Sequence, residues 1–587
     1  MATSTTSPHG AGGGVASLEA SSKSLKLTSP IIRNELRSIF STLTKRDTLP
    51  VPAFRAFLES TQGVSCSSSA DWAARVFHPL HTTSTQKLLA TGSPSITFDE
   101  FIAYFAAPSN HALALPDPRE KDWSHPLGEY FISSSHNTYL TGHQLYGTST
   151  TSGYKSVLRR GCRCIEIDVW DGDDGEPEVF HGYTLTKEIS FRDVCRAVAK
   201  YSFSHKGTNW EGGAGEGPII ISLECHAGPV QQDKIVKIMK EEWGDMLVQG
   251  IEPEDVRELP SPIQLKRKIL VKSKYHPPIR PITTSPPRTL PRAPTMLPDN
   301  SSSSDSELEE LSKLANKKRP KSKVTRNLGA LGIYCSSHHF PAKDPSPFKH
   351  ATCKIPNHVF SFSEKVFTAL HQNHSAAIFK HNRAHLMRVY PFGLRFSSSN
   401  ADPTQFWRQG VQLVALNWQK CDQGMMLNEG MFAGEGGYVR KPRGFRPGDT
   451  EGPVRKTLDL AIEVLAAASL PMPEDDDTAK GFKPYVKIEL HSDDDAGPKG
   501  KTKNRRGIEC SWGGERIEFK GVPGVVDQLA FVRFKVHDQE FGRDDLAAWA
   551  CIRLDRLQQG YRFVTLFNNE GDRSDGHMLI KVTKRLY

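Results

Sequence analysis

Long apolar runs are missing from this sequence, whose mean hydropathy is −0.46. No stretch approaches the roughly 20 consecutive apolar residues that a membrane-spanning helix needs. The opening residues, Met-Ala-Thr-Ser-Thr-Thr-Ser-Pro-His-Gly, also lack the charged segment and apolar core of a secretory signal peptide. These absences predict a cytoplasmic chain that does not cross a bilayer.

The sequence also lacks cysteines at metal-binding spacings and a strong excess of charge of either sign. The ten cysteines are scattered over 587 residues, and Cys162 and Cys164 are too close together for a zinc knuckle. We therefore expect reduced thiols. Lysine and arginine number 75 against 66 acidic residues, a net charge of +9. No basic cluster is interleaved with aromatic residues, so a nucleic-acid platform is not expected, whereas attraction to an anionic membrane is.

The stretch from Ser133 to His181 carries the densest chemistry. Within it, apolar Ile and Val alternate with other residues in Arg-Cys-Ile-Glu-Ile-Asp-Val-Trp, which predicts a strand with Glu166 and Asp168 on one face. Two adjacent carboxylates repel unless a cation or a proton separates them. With His136 and Asn137 upstream, a hard cation with oxygen ligands suits the group. On spacing alone, a half-buried strand whose carboxylates face water remains an equal alternative.

Other predicted strands become polar only at their C-terminal ends. Pro-Ile-Ile-Ile-Ser-Leu-Glu ends on Glu224, and Lys-Ile-Leu-Val-Lys-Ser-Lys ends on Lys272 and Lys274, which share a face. Polar groups gathered at strand C-terminal ends are typical of (β/α)8 barrels. Without further information, a Lys-x-Lys at a strand end is more often a solvated edge.

Composition divides the chain into six segments. The first is rich in Ser, Thr and Gly, which predicts disorder, and one later segment collapses into Pro, Ser and charge, which predicts a disordered linker. The last is rich in alternating strands. The predicted segments are 1–28, disordered; 29–110, helical; 122–275, with the polar strand ends; 276–328, disordered linker; 329–446; and 454–587, strand-rich.

Three runs resemble the X region of eukaryotic phosphoinositide-specific phospholipase C. They are Phe-Ile-Ser-Ser-Ser-His-Asn-Thr-Tyr-Leu, Gly-Cys-Arg-Cys-Ile-Glu-Ile-Asp-Val-Trp-Asp-Gly, and His-Gly-Tyr-Thr-Leu-Thr. The resemblance is to the delta-like members, without a pleckstrin-homology domain, in the arrangement of fungi and plants. It implies an EF-hand-like helical lobe at 29–110, a TIM barrel split into an X half at 122–275 and a Y half at 329–446, and a C2 β-sandwich at 454–587.

The implied activity is calcium-dependent hydrolysis of phosphatidylinositol 4,5-bisphosphate to diacylglycerol and inositol 1,4,5-trisphosphate through a cyclic phosphate. Asn137, Glu166, Asp168 and Glu224 match the family's calcium ligands. Glu166 also matches the candidate base. His136 would stabilise charge on the phosphorus, and His181 would protonate the leaving group and later activate water.

Five further residues match the family's contacts with the inositol ring and its phosphates: Lys272, Lys274, Ser361, Arg388 and Tyr390. Four apolar residues align with a membrane-facing ridge around the mouth of the site: Leu145, Tyr183, Leu185 and Leu394. Ordinary core packing is an equal alternative for the ridge residues.

The remaining expectations concern partners and the flanking domains. The resemblance implies phosphoinositides and an anionic membrane surface as partners, no nucleic acid, a peripheral location at membranes, and a role in intracellular lipid signalling; we also expect a monomer.

The helical lobe lacks the acidic ligands of a calcium loop. Lys483 near Asp538 and Glu540, with Asp475, Asp476 and Asp477 out of register, predicts a C2 domain that binds calcium weakly or not at all and braces the barrel. A non-catalytic binding scaffold of the same fold is the competing function; a glycerophosphodiesterase barrel would lack the cations.

Overall fold

The computed structural model describes residues 10–65, 95–117, 121–182, 187–203, 215–276, 324–473, 481–492, 497–540, 542 and 544–587. Among these residues no helix is both long and apolar enough to cross a membrane. Most of the predicted linker and the acidic run at 475–477 lie outside this part of the chain.

The N-terminal region is helical and corrects one expectation. The prediction of disorder for 1–28 is wrong within residues 10–28, where a short helix forms and buries Ala16 and Ala20. Its amides are held by a buried carboxylate, Glu429, far along the chain, which composition does not reveal. The helices of this region are α1 (Val15–Ser21), α2 (Pro30–Leu43), α3 (Val51–Ser60) and α4 (Phe98–Ala106).

Two helix–strand pairs make up the lobe that the sequence predicts as EF-hand-like. Strand β1 (Thr48–Pro50) pairs antiparallel with β2 (Ser95–Thr97), and α3 and α4 follow these strands directly. Thr97 and Glu100 form a reciprocal capping box at the start of α4. Phe40 and Phe101 pack edge to face in the core of the lobe, with centroids 5.3 Å apart.

Eight parallel strands close into a barrel, as predicted. Their runs of Ile, Val and Leu are buried on both faces, as expected where helices cover a closed parallel sheet. In spatial order they are β3 (Tyr130–Ser135), β6 (Cys164–Trp170), β9 (Ile219–Cys225), β10 (Ile269–Lys274), β11 (Cys335–Ser337), β12 (His358–Ser363), β13 (Leu386–Tyr390) and β14 (Leu413–Leu416), and β14 pairs with β3 to close the ring.

Short strands and outer helices complete the barrel. Strand β15 (Tyr438–Arg440), from the end of the second half, pairs antiparallel with β3, so the two halves also meet outside the ring. The other short strands are β4 (Leu140–Thr141), β5 (Thr148–Ser149), β7 (Glu178–Val179) and β8 (Ile189–Ser190). The helices are α5 (Thr151–Arg159), α6 (Phe191–Tyr201), α7 (Pro229–Trp243), α8 (Arg326–Gly329), α9 (Glu364–Asn382), α10 (Thr404–Trp407) and α11 (Gln423–Phe432).

The C-terminal region is an antiparallel sandwich whose apolar faces pack on each other. Ile488 and Phe534 from one side and Ile462 and Val582 from the other share one core. Its strands are β16 (Lys456–Ala468), β17 (Pro484–His491), β18 (Lys499–Lys501), β19 (Cys510–Val525), β20 (Phe531–Asp538), β21 (Asp545–Arg553), β22 (Gly560–Asn568) and β23 (Arg573–Leu586).

The outer face of β20 and β21 contacts the barrel directly, as expected of a brace. The ring of Phe531 lies 5.9 Å from that of Trp407, and Arg553 donates a hydrogen bond to the carbonyl of Met431. In the loop expected to hold calcium, Asp538 accepts a hydrogen bond from the amide of Lys483. Weak calcium binding by this domain stays a prediction.

Candidate active site

The predicted site residues meet at the carboxyl ends of the barrel strands. In the register of neighbouring strands, Asp168 on β6 lies beside Glu224 on β9, and Ser222 on β9 lies beside Lys272 on β10. Across the ring, Ser361 on β12 pairs with Arg388 on β13. The rule that strand-end polar residues share one mouth therefore places residues from distant parts of the chain in one site.

Glu166 is a buried carboxylate with two well-defined partners. One oxygen, Oε1, accepts a hydrogen bond from Arg388 Nη2 at 2.7 Å, and the other, Oε2, accepts one from the amide of Asn137 at 2.8 Å. Asn137 has a φ of 43°, and asparagine is among the few non-glycine residues that adopt this left-handed conformation readily. Although burial opposes its charge, Arg388 has a raised pKa because Glu166 stabilises the guanidinium.

Glu224 is paired in the same way by a lysine. Lys272 Nζ lies 3.0 Å from Glu224 Oε1 and 3.2 Å from Ser222 Oγ, with its own side chain 1% exposed. Burial raises the pKa of Glu224, but Lys272, Lys274 and Arg388 outweigh burial and lower it to about 2. The carboxylate is therefore ionised at neutral pH.

Tyr139, which the sequence argument missed, joins the other two predicted ligands. Its hydroxyl lies 2.6 Å from Asp168 Oδ2 and 3.2 Å from Asn137 Oδ1. The hydroxyl has one proton, so it can donate fully to only one of these oxygens at a time. Asn137 and Asp168 thus present their oxygens to the same point in the site.

The four predicted ligands fit a hard cation by their chemistry, since all of them offer oxygen and none offers sulfur or nitrogen. Their arrangement is not that of a closed metal cage. Among the described residues, no three His, Cys, Asp or Glu side chains are grouped closely enough to hold a metal ion. Arg388 on Glu166 and Lys272 on Glu224 supply the positive charge at these carboxylates.

His136 is held by a neighbour from the second half of the barrel. Its Nδ1 lies 2.9 Å from Asn417 Oδ1, and Asn417 Nδ2 donates to the carbonyl of Ser399. Because Oδ1 only accepts, Nδ1 of His136 carries a proton and Nε2 faces the cleft, 4.0 Å from Glu166 Oε2. Burial lowers the pKa of His136, while Glu166 acts to raise it. Its ring stacks parallel to Tyr390, with centroids 6.0 Å apart.

His181 is oriented by the main chain. Its Nδ1 lies 2.8 Å from the carbonyl oxygen of Gln144, which fixes the proton on Nδ1. His136, His181 and Tyr390 line one cleft together with Asn137 and Asn417. Two histidines with assigned donor atoms therefore face a common space.

The predicted phosphate contacts also reach this mouth. Ser361 Oγ and Arg388 Nε are both buried, and within the described part of the chain neither has a hydrogen-bond partner. The Arg388 guanidinium lies 5.2 Å from the centre of the Tyr390 ring. Lys274 ends β10 on the same face as Lys272. Buried donors without protein partners, beside two lysines, suit an anionic ligand.

The predicted membrane ridge is only partly described. Leu394 is 51% exposed, and Leu145 is half-buried and lines the cleft. Tyr183 and Leu185 lie outside the described residues. Tyr146, which the sequence argument did not single out, is 68% exposed beside Leu145.

Sequence reasoning missed the residues that hold the candidate catalytic groups. Asn417 follows directly after β14, so the strand-end rule applied to Leu413–Leu416 would have found it. Tyr139 and Gln144 follow no strand end of the barrel. Only the folded loop brings them to the site.

Comparison with known families agrees with this geometry. The model described as phosphatidylinositol-specific phospholipase C, X domain, matches residues 123–275, the corresponding Y domain matches 328–444, and a C2 domain matches 458–568. These matches cover the described barrel strands β3–β14, together with β15, and most of the sandwich.

Curated relatives match over most of this chain. The 1-phosphatidylinositol 4,5-bisphosphate phosphodiesterase delta-3 of Mus musculus is 35% identical over 81% of this chain and 59% of its own length. The delta-1 phosphodiesterase of Homo sapiens is 33% identical over 90% and 68%. The phosphodiesterase 1 of Candida albicans is 32% identical over 76% and 46%. The chain thus spans about half to two thirds of the length of these relatives.

A solved structure resembles the whole arrangement. The crystal structure of S. officinalis PLC21 superposes with a TM-score of 0.73 at 27% identity, covering 94% of this chain and 68% of that one. With the X, Y and C2 matches and the shared barrel mouth, these likenesses show that the chain belongs to the phosphoinositide-specific phospholipase C family.

Proposed function

We propose that this chain is a calcium-dependent phosphodiesterase that cleaves phosphatidylinositol 4,5-bisphosphate into diacylglycerol and inositol 1,4,5-trisphosphate. The observation that carries the proposal is the joint presence, at one mouth, of two histidines with assigned donor atoms, three carboxylates, and buried cations. A binding scaffold would need the cations but not histidines that present Nε2 to the cleft.

The first step is attack of the inositol 2-hydroxyl oxygen on the adjacent phosphorus. Glu166, beside the attacking group, accepts the hydroxyl proton. The bond from phosphorus to the diacylglycerol oxygen breaks, and His181 Nε2 supplies that oxygen with a proton. His136 turns Nε2 towards the charged phosphoryl oxygen while Asn417 accepts from Nδ1. Glu166 and the charge that develops on the phosphoryl group would favour a second proton on the ring, and Nε2 would then donate it to that oxygen.

The second step opens the cyclic phosphate. His181, now neutral at Nε2, accepts a proton from water as the water oxygen attacks phosphorus. The bond from phosphorus to the 2-oxygen of the inositol breaks, and Glu166 returns to that oxygen the proton it took in the first step. Asn137, Glu166, Asp168 and Glu224 would hold calcium, which when bound lowers the pKa of the 2-hydroxyl and balances charge on the phosphoryl group. Lys272, Lys274, Ser361 and Arg388 would bind the ring phosphates, and Tyr390 would pack on the inositol ring.

Membrane contact follows from the same geometry. Exposed Tyr146 and Leu394 lie near the cleft and would enter the lipid surface, so we propose a cytoplasmic, peripheral location at anionic membranes and a role in lipid signalling.

The test is release of inositol trisphosphate from vesicles that contain the bisphosphate lipid, measured across a calcium titration. We expect activity that rises with calcium and falls steeply in His181→Ala. Gln419→Ala, at a half-buried position in the loop after β14, is the control. Vesicle binding without any release would support the scaffold instead.

A further inference from the structure

Gln144 lies under the cleft, 5% exposed, in the loop between β4 and β5. Every polar atom of this residue has a partner. In the backbone, its amide donates to the carbonyl of Phe396 at 2.9 Å, and its carbonyl accepts from His181 Nδ1 at 2.8 Å. In the side chain, Oε1 accepts from Asn137 Nδ2 at 2.9 Å. The side-chain Nε2 donates to Ser398 Oγ at 2.8 Å and to Asn417 Oδ1 at 3.3 Å.

These contacts determine which way two amides point. An asparagine amide has nearly the same shape after a 180° flip, so only its partners fix the oxygen. Gln144 Oε1 accepts only, so it holds Asn137 Nδ2 and turns Asn137 Oδ1 towards Tyr139 and Asp168. Gln144 Nε2 donates only, so it favours Asn417 with Oδ1 turned towards His136.

The same loop is tied to the second half of the barrel. Ser398 has a φ of 57° and donates from Oγ to the carbonyl of Gly142 at 2.7 Å. Gln144 bonds to Phe396, Ser398 and Asn417, all from the second half, and to Asn137 and His181 from the first. One side chain and its backbone thus join groups more than 250 residues apart in the chain.

We propose that Gln144 is a positioning residue: it orients Asn137 and Asn417, and through them and its own carbonyl it aligns His136 and His181 as one unit across the two halves. The role rests on the proposed phosphodiesterase function. Gln144 acts through its neighbours and carries no chemistry of its own.

Two variants separate its contacts. Gln144→Ala removes both side-chain functions, whereas Gln144→Glu, of nearly equal shape, keeps an acceptor for Asn137 and loses the donor to Asn417. Gln419→Ala is the matched control, because Gln419 donates to the same Ser398 Oγ at 3.1 Å but contacts no catalytic group. The His181 contact uses a backbone oxygen and is kept in all three.

We expect Gln144→Ala to lower kcat about 10–100-fold, the usual size of an orienting contact around a metal or catalytic group. KM for the bisphosphate lipid should stay near the wild-type value, because Lys272 and Lys274 are unchanged. The calcium concentration for half-maximal activity should rise in Gln144→Ala and should not rise in Gln144→Glu.

A second readout does not depend on turnover. In protein labelled with nitrogen-15 at histidine, the ring-nitrogen NMR signals of His136 at fixed pH should move in Gln144→Ala, because Asn417 loses the donor that favours turning Oδ1 towards Nδ1 of His136. Gln144→Glu also adds a carboxylate beside Asn417, so its signals should move as well, without a set direction. The control should give wild-type signals, and melting temperatures verify folding.

Wild-type kcat, calcium dependence and His136 ring signals in a folded Gln144→Ala protein would overturn the positioning role. If that variant does not fold, Gln144→Glu decides by kcat and ring signals alone, since its calcium dependence is expected to match that of the wild type. If the wild-type chain releases no inositol phosphate while the His136 signals still move in the variants, the proposed function fails and the positioning role stands.

Discussion

The two halves of the barrel make different contributions to one site. The first half supplies the groups that would exchange protons and hold a cation, together with several of the residues that hold them in place. The second half supplies the partners of two of these groups, Arg388 for Glu166 and Asn417 for His136. The first half carries His136, Asn137, Glu166, Asp168, His181 and Glu224, whereas the second carries Ser361, Arg388, Tyr390 and Asn417.

The electrostatics explain this division. Three carboxylates from neighbouring strands of the first half would repel one another if left alone. Lys272 balances Glu224 from within the same half, but Glu166 obtains its cation, Arg388, from the far side of the ring. The site is therefore electrostatically complete only when both halves are closed, and the predictions below test how strictly the two contributions separate.

Removing the proton-transferring groups of the first half should have the largest effect. We expect His181→Ala and His136→Ala each to lower kcat by about 10²–10⁴-fold, because both groups act on the transition state. Steady-state kinetics on vesicles, with melting temperature as the folding control, measures this. Near-normal turnover in either folded variant would contradict the mechanism.

Cations from the two halves should differ in substrate dependence. Sequence alone predicts that Arg388→Ala weakens phosphate binding only, yet Arg388 also pairs with buried Glu166. We therefore expect Arg388→Ala to reduce activity on both the bisphosphate lipid and unphosphorylated phosphatidylinositol and to destabilise the fold by about 3–5 kcal/mol.

Lys274→Ala is the contrasting variant, with a loss confined to the bisphosphate lipid. The ratio of kcat/KM on the two lipids checks both variants. Equal ratios for Arg388→Ala and Lys274→Ala would show that the Glu166 pair does not matter for the reaction.

The pairing of Lys272 with Glu224 should make the stability of the fold depend on pH in the acid range. Glu224 has a pKa of about 2 in the fold against 4.5 ordinarily, so its pairing stabilises the protein fully above pH 4.5 and is lost as the pH falls towards 2. Lys272→Met removes the main partner, and we expect it to cost about 1–3 kcal/mol at pH 7 and to flatten the acid-induced loss. Urea unfolding from pH 7 to pH 3 measures both; parallel curves would refute the coupling.

The smallest effect on catalysis should come from the scaffold of the second half. Glu429 accepts hydrogen bonds from the amides of Gly12, Gly14 and Ser17. In Glu429→Gln one acceptor oxygen is lost, so we expect about 1–3 kcal/mol less stability with kcat unchanged. The exposed Glu451→Gln is the control in thermal unfolding and kinetics. A fall in kcat without a fall in stability would show that this segment acts on the site.

Much of the site was predictable because strand periodicity carries the information. Period two placed Glu166 with Asp168 and Lys272 with Lys274, and the polar strand ends predicted one shared mouth. The pairing of Arg388 with Glu166 was not predictable, since it depends on which residues face each other across a closed ring. Nothing in the local sequence around either residue indicates how close Arg388 and Glu166 lie in the folded barrel.

The N-terminal helix shows a second limit. Composition predicts disorder for a Gly- and Ser-rich segment, because such a segment buries little apolar surface. Here Gly12 and Gly14 stabilise an ordered segment instead, because both adopt a positive φ and their amides donate hydrogen bonds to the Glu429 carboxylate. A contact between residues more than 400 positions apart leaves no local signal.

The pairing that closes the barrel has a consequence for synthesis of the chain. Strand β3 pairs with β14 through Ile132 and Leu413, about 280 residues apart. At about 5–20 residues per second, a ribosome needs roughly 15–60 s to make the intervening chain. During that time β3 lacks one neighbour and is an open edge that can pair with other nascent strands. Folding of this chain therefore depends on how long the edge stays open as well as on how stable the finished barrel is.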